Sequence, residues 1–299
     1  MEDLIREALS NSSKVRKNSL IDKIIPVEGG CIHDAWCIHL ENGIKVFAKS
    51  NHIDNVNMFN YEIECLLALN RFANQSYISI PRPVDLITYK NISILCLEWI
   101  DLKKSNQRIL GKGLALLHKK SSETSNNEFG WDGEGFIGSN TQKKGWEKDW
   151  GRFFVNYRLR PQLIQAETWG INVENYEDVL LYLTSYLNAH HPKVSLVHGD
   201  LWSGNCGGTK NNSGALYDPA SYWGDREVDL SMTKLFGGFS LEFYKGYEDI
   251  WPLDVTSKER TAIYNLYHLL NHANIFGGSY KQSSLNILKD LRCRLKTKS

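Results

Sequence analysis

The chain has 299 residues, 42% of them hydrophobic, with a formal net charge of +1. That length and apolar content provide a sizeable core in one large or two modest domains and exclude a disordered chain. A charge this close to balance supplies no field for nucleic acid or an anionic membrane. The N-terminus Met1-Glu2-Asp3-Leu4-Ile5 lacks the basic and apolar regions of a secretory signal, and no apolar run approaches the length that spans a bilayer. The six cysteines are scattered, with no C-x-x-C pair. The reading is a cytoplasmic protein with reduced thiols and neither a nucleic-acid nor a membrane partner.

Residues 3–10 read as a short leading helix, and strands follow at 24–27, 36–40 and 44–49. Asn42-Gly43 between the last two is a tight-hairpin signal. The period of two places Lys45, Phe47 and Lys49 on one face of a strand that ends at Lys49. A helix is expected over 56–72, then strands at 84–89 and 92–99 around a Lys90-Asn91 turn.

Beyond residue 100 the pattern turns helical. Ser105 is placed to cap a helix with Ile109, Leu110, Leu114 and Leu117 on its apolar face. Residues 121–145, rich in Gly, Ser and Asn, read as a long loop. Trp146, Trp150, Phe153, Phe154 and Tyr157 recur at helical spacing and read as core. A helix over 176–189 ends before Pro192, a short strand covers 194–197, and three helical patterns fill the C-terminal third, one stopped by Gly277-Gly278. The fold class is α+β. Residues 1–100 form a β-rich N-terminal lobe and residues 101–299 a mostly helical C-terminal lobe, joined near Glu98, Trp99, Ile100 and Asp101.

The segment Val197-His198-Gly199-Asp200-Leu201-Trp202-Ser203-Gly204-Asn205 carries the strongest chemistry. Phosphoryl transfer needs a carboxylate beside the attacking hydroxyl and oxygen ligands that hold Mg²⁺ against the phosphates. Asp200 suits the first role and Asn205 the second. Thirteen residues on (218 − 205), a strand-like lead-in ends at Asp218-Pro219-Ala220, where protein kinases carry a metal-binding Asp-Phe-Gly. Lys49 suits the α and β phosphates of ATP, Phe47 the adenine, and Glu62 on the following helix the ion pair with Lys49; Glu64 points about 200° away. The turn holding Gly29, Gly30, Cys31 and His33 is a phosphate-cradling candidate, and Glu98, Trp99 and Ile100 a hinge for the adenine edge. Together these describe a protein-kinase-like two-lobe fold.

Other readings are weaker. Cys31, His33, Cys37 and His39 have no common zinc spacing. His198 beside Cys206 lacks the elbow of a hydrolase, and reads as a brace for the Asp200 loop. His190-His191 reads as an exposed helix end. Arg226, Glu227 and Asp229 read as an internal network supporting the catalytic loop.

At these residues the sequence resembles the fructosamine kinase (ketosamine-3-kinase) family, akin to aminoglycoside and choline kinases. The resemblance covers nearly the whole chain. It includes Gly29-Gly30-Cys31-Ile32, Pro81-Arg82-Pro83, Gly130-Trp131 and Ile137-Gly138-Ser139, and is densest over 197–205 and 222–239. It implies ATP and Mg²⁺ as cofactors. It also implies phosphorylation of a ketoamine sugar hydroxyl, normally O3, on a fructosamine, a ribulosamine or a glycated protein lysine, with release of the amine. Asp200 is then the proton acceptor, Asn205 and Asp218 the metal ligands, and Lys49 and Glu62 the phosphate-holding pair. The resemblance also makes Cys31 a candidate redox switch. Trp202 and Trp223, which follow the two catalytic segments, are either walls of the acceptor pocket or core aromatics. A related kinase for an amino alcohol or aminoglycoside is the alternative function.

Overall fold

The computed structural model describes residues 1–16, 19–28 and 32–298. Helices α1 (Glu2–Ser10) and α2 (Ser13–Arg16) lead into strands β1 (Ile21–Val27), β2 (Asp34–Leu40) and β3 (Lys45–His52). Helix α3 (Val56–Phe72), the two-residue β4 (Ile78–Ser79), β5 (Pro83–Tyr89) and β6 (Ile92–Glu98) follow. The five long strands form one antiparallel sheet in the order β1-β2-β3-β6-β5.

The β2–β3 connection has the expected chemistry. The Leu40 carbonyl accepts from the Gly43 N–H, Gly43 stands at φ +81°, and the Asn42 carboxamide oxygen accepts from the Ile44 N–H. This is a three-residue loop with glycine at its left-handed position. Strand β3 does not stop at Lys49 but runs on to His52. Its alternation directs Val46 and Ala48 towards α1 and α2, packed with Ile5, Leu9 and Val15. Phe47 faces the opposite way, into the cluster that holds Phe59 of α3. Lys49 shares the face of Phe47.

The remaining chain opens with α4 (Gln107–Ser122). Its cap is Asn106, whose side chain accepts from the Ile109 N–H at 3.3 Å. Ser105, expected there, instead accepts from Gln107 Nε2. The stretch expected as a loop begins in the last turn of α4 and then holds four three-residue strands, β7 (Phe129–Trp131), β8 (Gly135–Ile137), β9 (Asn140–Gln142) and β10 (Gly145–Glu147). Trp146 therefore lies on a strand, while Trp150, Phe153 and Phe154 do enter the core through α5 (Trp150–Phe153) and a π-helical turn over Phe154–Leu159. Helices α6 (Arg160–Ala166) and α7 (Glu177–Asn188) precede β11 (Val194–Val197), the hairpin β12 (Cys206–Gly208) with β13 (Gly214–Leu216), and β14 (Tyr222–Asp225).

Four helices close the chain where three patterns were expected: α8 (Glu227–Leu235), α9 (Leu241–Glu248), α10 (Ser257–Phe276) and α11 (Ser279–Lys298). Gly277 and Gly278, at φ +67° and +59°, separate the last two. A second sheet runs β10-β7-β14-β11. A third runs β12-β13-β4, so Ile78–Ser79 pairs with a hairpin more than a hundred residues later. Among the described residues no helix is long and apolar enough to cross a membrane.

The expected exposed His190-His191 pair is half corrected. His191 is exposed, but His190 turns inward, its Nε2 3.2 Å from Asp225 and 3.6 Å from Glu227. Both Glu227 oxygens accept from Arg260 at 2.7 Å, and Asp225 accepts from Tyr264 Oη at 2.6 Å. A guanidinium already balances this cluster, so it has no need of a metal ion.

Helices α4 and α9 touch backbone to backbone. A Cβ added at Gly111 would lie 2.0 Å from the Phe243 carbonyl oxygen. Alanine normally gains about 1 kcal/mol over glycine within a helix, but here overpacking of about 1–3 kcal/mol opposes it. Gly111→Ala is expected to lower the urea midpoint with an unchanged slope; a raised midpoint would refute the close crossing.

Candidate active site

Strand β11 delivers His198-Gly199-Asp200 to the end of the second sheet, and a buried carboxylate fixes the turn that the chain makes there. Asp229 of α8 accepts from the His198 N–H at 2.7 Å and the Gly199 N–H at 2.8 Å. Its Oδ2 also lies 3.0 Å from His118 Nε2, and His118 Nδ1 lies 2.9 Å from Tyr247 Oη. Burial alone would push the Asp229 carboxyl up, but the bonds from His118 and the loop amides prevail and hold it low. Gly199 stands at φ +83°, with a hypothetical Cβ only 2.0 Å from the Ala220 oxygen. No other residue fits there.

The His198 side chain is buried, and its Nε2 is 3.0 Å from the Tyr217 carbonyl. A carbonyl only accepts, so Nε2 carries the proton and Nδ1 receives the Asp200 N–H, at 3.4 Å. Burial keeps this ring neutral. It ties the Asp200 loop to the segment leading into Asp218.

Asp200 and Asn205 meet directly. Asn205 Nδ2 donates to Asp200 Oδ2 at 3.2 Å, to the Asp200 carbonyl at 3.0 Å and to the Asp218 carbonyl at 3.4 Å. The β12–β13 hairpin returns the chain so that the Tyr217 N–H donates to the Asn205 carbonyl at 3.1 Å. Asp218 comes next, at φ +57°, a left-handed conformation that is uncommon for a residue with a Cβ. Burial, and then the Asp218 charge, push the Asp200 carboxyl up to about 7.

Lys49 reaches this group from the other side. Its ammonium is buried, donates to Glu62 Oε1 at 2.8 Å, and also bonds Asp218 Oδ1. Burial opposes its charge, but the two carboxylates prevail and hold it protonated. Burial likewise opposes the Asp218 charge, yet Lys49 keeps that carboxyl low. Glu62, more deeply desolvated, is pushed up to about 7 in spite of Lys49. Lys49, Glu62, Asp200, Asn205 and Asp218 thus form one contiguous set built from four chain segments: β3, α3, the loop after β11 and the segment after β13.

The other expected residues fall out differently. Gly29, Gly30 and Cys31 lie outside the described residues, and with them the redox reading of Cys31. Glu98 ends β6, its N–H bonded to the Arg82 carbonyl at 2.8 Å, and Trp99 Nε1 donates to Asp101 at 2.8 Å. The Trp99 ring lies 6.3 Å from Phe47, and Ile100 is half-buried beyond it. A groove of about 410 Å³ beside this segment is lined by Lys45, Val46, Arg82, Glu98 and Trp99 but by none of Lys49, Asp200 or Asp218. Trp202 is 36% exposed, its ring over Gly204. Trp223 is wedged between the two large cores, edge-on to Phe72 at 5.8 Å. That packing is what its position on β14 dictates.

Some supports carry no signal in the sequence. His118 gave none, because its partner Asp229 is 111 residues away. Tyr61 Oη donates to the Ser221 carbonyl at 2.8 Å, and Gln142 Nε2 to the Ala220 carbonyl at 3.3 Å; both clamp the backbone just after Asp218.

Comparison with known proteins identifies the family and the fold. A family model described as fructosamine kinase matches residues 2–294. A probable ketoamine kinase of Synechocystis sp. is 38% identical over 266 residues, covering 88% of each chain. The crystal structure of a candidate fructosamine-3-kinase from Haemophilus somnus superposes with a TM-score of 0.83 at 27% identity, over 97% of this chain and 96% of that one. A choline kinase of Streptococcus pneumoniae shares the fold at 14% identity, with a TM-score of 0.58 and 99% of each chain covered. The chain has the kinase-like fold, a β-sheet region followed by a helical one.

The Asp229 brace is testable. Asp229→Ala leaves two loop N–H groups and His118 without their acceptor, each a penalty of about 1–3 kcal/mol. The variant is expected to lose at least about 3 kcal/mol of stability in urea denaturation. A loss below about 1 kcal/mol would show that the loop holds itself.

Proposed function

The chain belongs to the fructosamine kinase family, and we propose that it transfers the γ-phosphoryl group of ATP to a ketoamine sugar hydroxyl, normally O3. The phosphorylated adduct then becomes labile and the amine is released. The family makes the chain an ATP-dependent phosphotransferase. The acceptors proposed are fructosamines and ribulosamines, free or on a glycated protein lysine. Residues 1–100 serve as the nucleotide lobe and 101–299 as the catalytic and substrate lobe.

One observation carries the reading. Asp200 is hydrogen-bonded to Asn205 and faces the Lys49–Glu62–Asp218 group. Asp200 orients the sugar hydroxyl and accepts its proton. In a loose transition state that proton leaves late, so orientation is the larger contribution. Lys49, held forward by Glu62, takes the α and β phosphates. The hinge of Glu98, Trp99 and Ile100 receives the adenine edge. The exposed Trp202 flanks the acceptor side.

The donor set also fits Mg²⁺. The Asn205 amide nitrogen is committed to three oxygens, which leaves its Oδ1 for a cation. Asp218 is kept ionised by Lys49. Hard oxygen donors of this kind suit Mg²⁺. Bound there, the ion would neutralise charge on the β and γ phosphates.

Asp200→Asn is expected to cut kcat by roughly 10²-fold or more, the scale of general acid–base catalysis, while ATP affinity holds. Phosphate incorporation is followed with Mg-ATP and a panel of fructosamines, ribulosamines, choline and aminoglycosides. Near-normal kcat in the variant would remove Asp200 from its role. Turnover of choline or aminoglycosides without ketoamines would move the substrate assignment to the related kinases.

A further inference from the structure

We propose that His33 binds the nucleotide phosphates directly, its Nε2–H donating to a phosphate oxygen beside Lys49. The inference rests on the reading of Lys49 as the phosphate lysine.

His33 directly precedes β2, and its ring packs against Phe59 of α3 with centroids 4.7 Å apart. Asn51 of β3 brings its side chain to His33 Nδ1 at 2.8 Å. Asn51 lies two residues beyond Lys49, hence on the same face of the strand and about 7 Å further along it. His33 is thus held on the side of the sheet where Lys49 meets Glu62 and Asp218. The charges of Lys49 and Asp218 are the ones its ring senses most strongly.

Backbone groups decide which nitrogen carries the proton. Asn51 Oδ1 accepts from the His52 N–H at 2.7 Å, and Asn51 Nδ2 donates to the Ile32 carbonyl at 3.3 Å. An N–H only donates and a carbonyl only accepts, so turning the carboxamide over would oppose both bonds. Asn55 Nδ2 also donates to the same Oδ1 at 2.9 Å, consistent with this orientation. Asn51 therefore offers N–H to His33 Nδ1, which must accept. The ring proton sits on Nε2, and no hydrogen bond among the described residues uses that atom.

Burial, then the Lys49 charge, push His33 down to about 4, so the imidazole is neutral at ordinary pH. A neutral donor suits this position. A second full cation beside Lys49 would repel it, whereas a fixed N–H adds direction without that repulsion. The carboxamide acts on the nucleotide only through His33, as a lock on its tautomer.

The test is direct binding by calorimetry, which does not depend on the acceptor. His33→Phe keeps a ring on Phe59 and removes the donor. Affinity for ATP and ADP is expected to fall about 10- to 100-fold, the scale of one hydrogen bond to a charged group, with adenosine affinity unchanged. His33→Gln, which offers an amide N–H, is expected to recover part of the loss, and Asn51→Leu to lose less than His33→Phe. Unchanged ATP affinity in His33→Phe, or an equal loss for adenosine, overturns the inference while the nucleotide site stands. A parent chain that binds no ATP would overturn the Lys49 reading and this inference together.

Discussion

A lysine ammonium buried between two carboxylates governs the arrangement of the candidate site. Lys49 from β3, Glu62 from α3 and Asp218 from the segment after β13 meet there, Lys49 and Glu62 buried and Asp218 still partly open to solvent. Each ion removed from water costs several kcal/mol, and only close pairing offsets that cost. The pairing is incomplete in number: two carboxylates share one ammonium, and Asp200 adds a third carboxyl nearby. The strain appears in the protonation equilibria, with Glu62 and Asp200 both pushed up to about 7. Well-packed apolar residues in place of a buried ion group are often neutral or stabilising, so stability alone does not account for this one. The excess negative charge is what the proposed divalent cation, bound with the phosphates it accompanies, would offset.

That charge set is held in register by neutral hydrogen bonds rather than by further ions. His198 is neutral and spans the two loops, Asn205 spans Asp200 and the Asp218 backbone, and Tyr61 and Gln142 hold the carbonyls just after Asp218. The exception is Asp229, whose charge is spread over two amides and an imidazole. Bonds to an ionised acceptor are roughly twice as strong as neutral ones. The strongest fixation therefore falls on His198-Gly199, directly before Asp200, the proposed acceptor carboxylate.

Local regularities in the sequence carried much of this. The seventeen residues of α3 emerge with both ends as expected, because an uninterrupted helical pattern runs from Val56 to Phe72. The loop over 198–205 stood out as a candidate because its residue types and spacing have few other uses. What failed was shorter or longer in range than a periodic pattern. Three-residue strands such as β7 to β10 contain too few alternations to register, so 121–145 read as loop. The Asn106 cap beat Ser105 through one bond that sequence order alone does not rank. The pairing of Ile78–Ser79 with Gly214–Ala215, and of His118 with Asp229, depends on chain folding across more than a hundred residues. No spacing rule reaches that far.

Asp218 shows why local rules bend at such a site. Its left-handed φ of +57° costs a non-glycine residue of order 1–3 kcal/mol, and glycine would relieve that cost. Glycine would also remove the carboxylate that Lys49 binds, leaving the ammonium with Glu62 alone. The backbone strain and the ion pair are therefore two sides of one requirement: the chain must turn sharply after β13 while presenting a charged side chain inward. The Asn205 side chain on the Asp218 carbonyl and the Ala220 N–H on the His198 carbonyl, at 2.9 Å, hold the turn from both flanks. Clamped in this way, the backbone keeps its strained conformation, and the carboxylate stays aimed at Lys49 without needing the flexibility that glycine would bring.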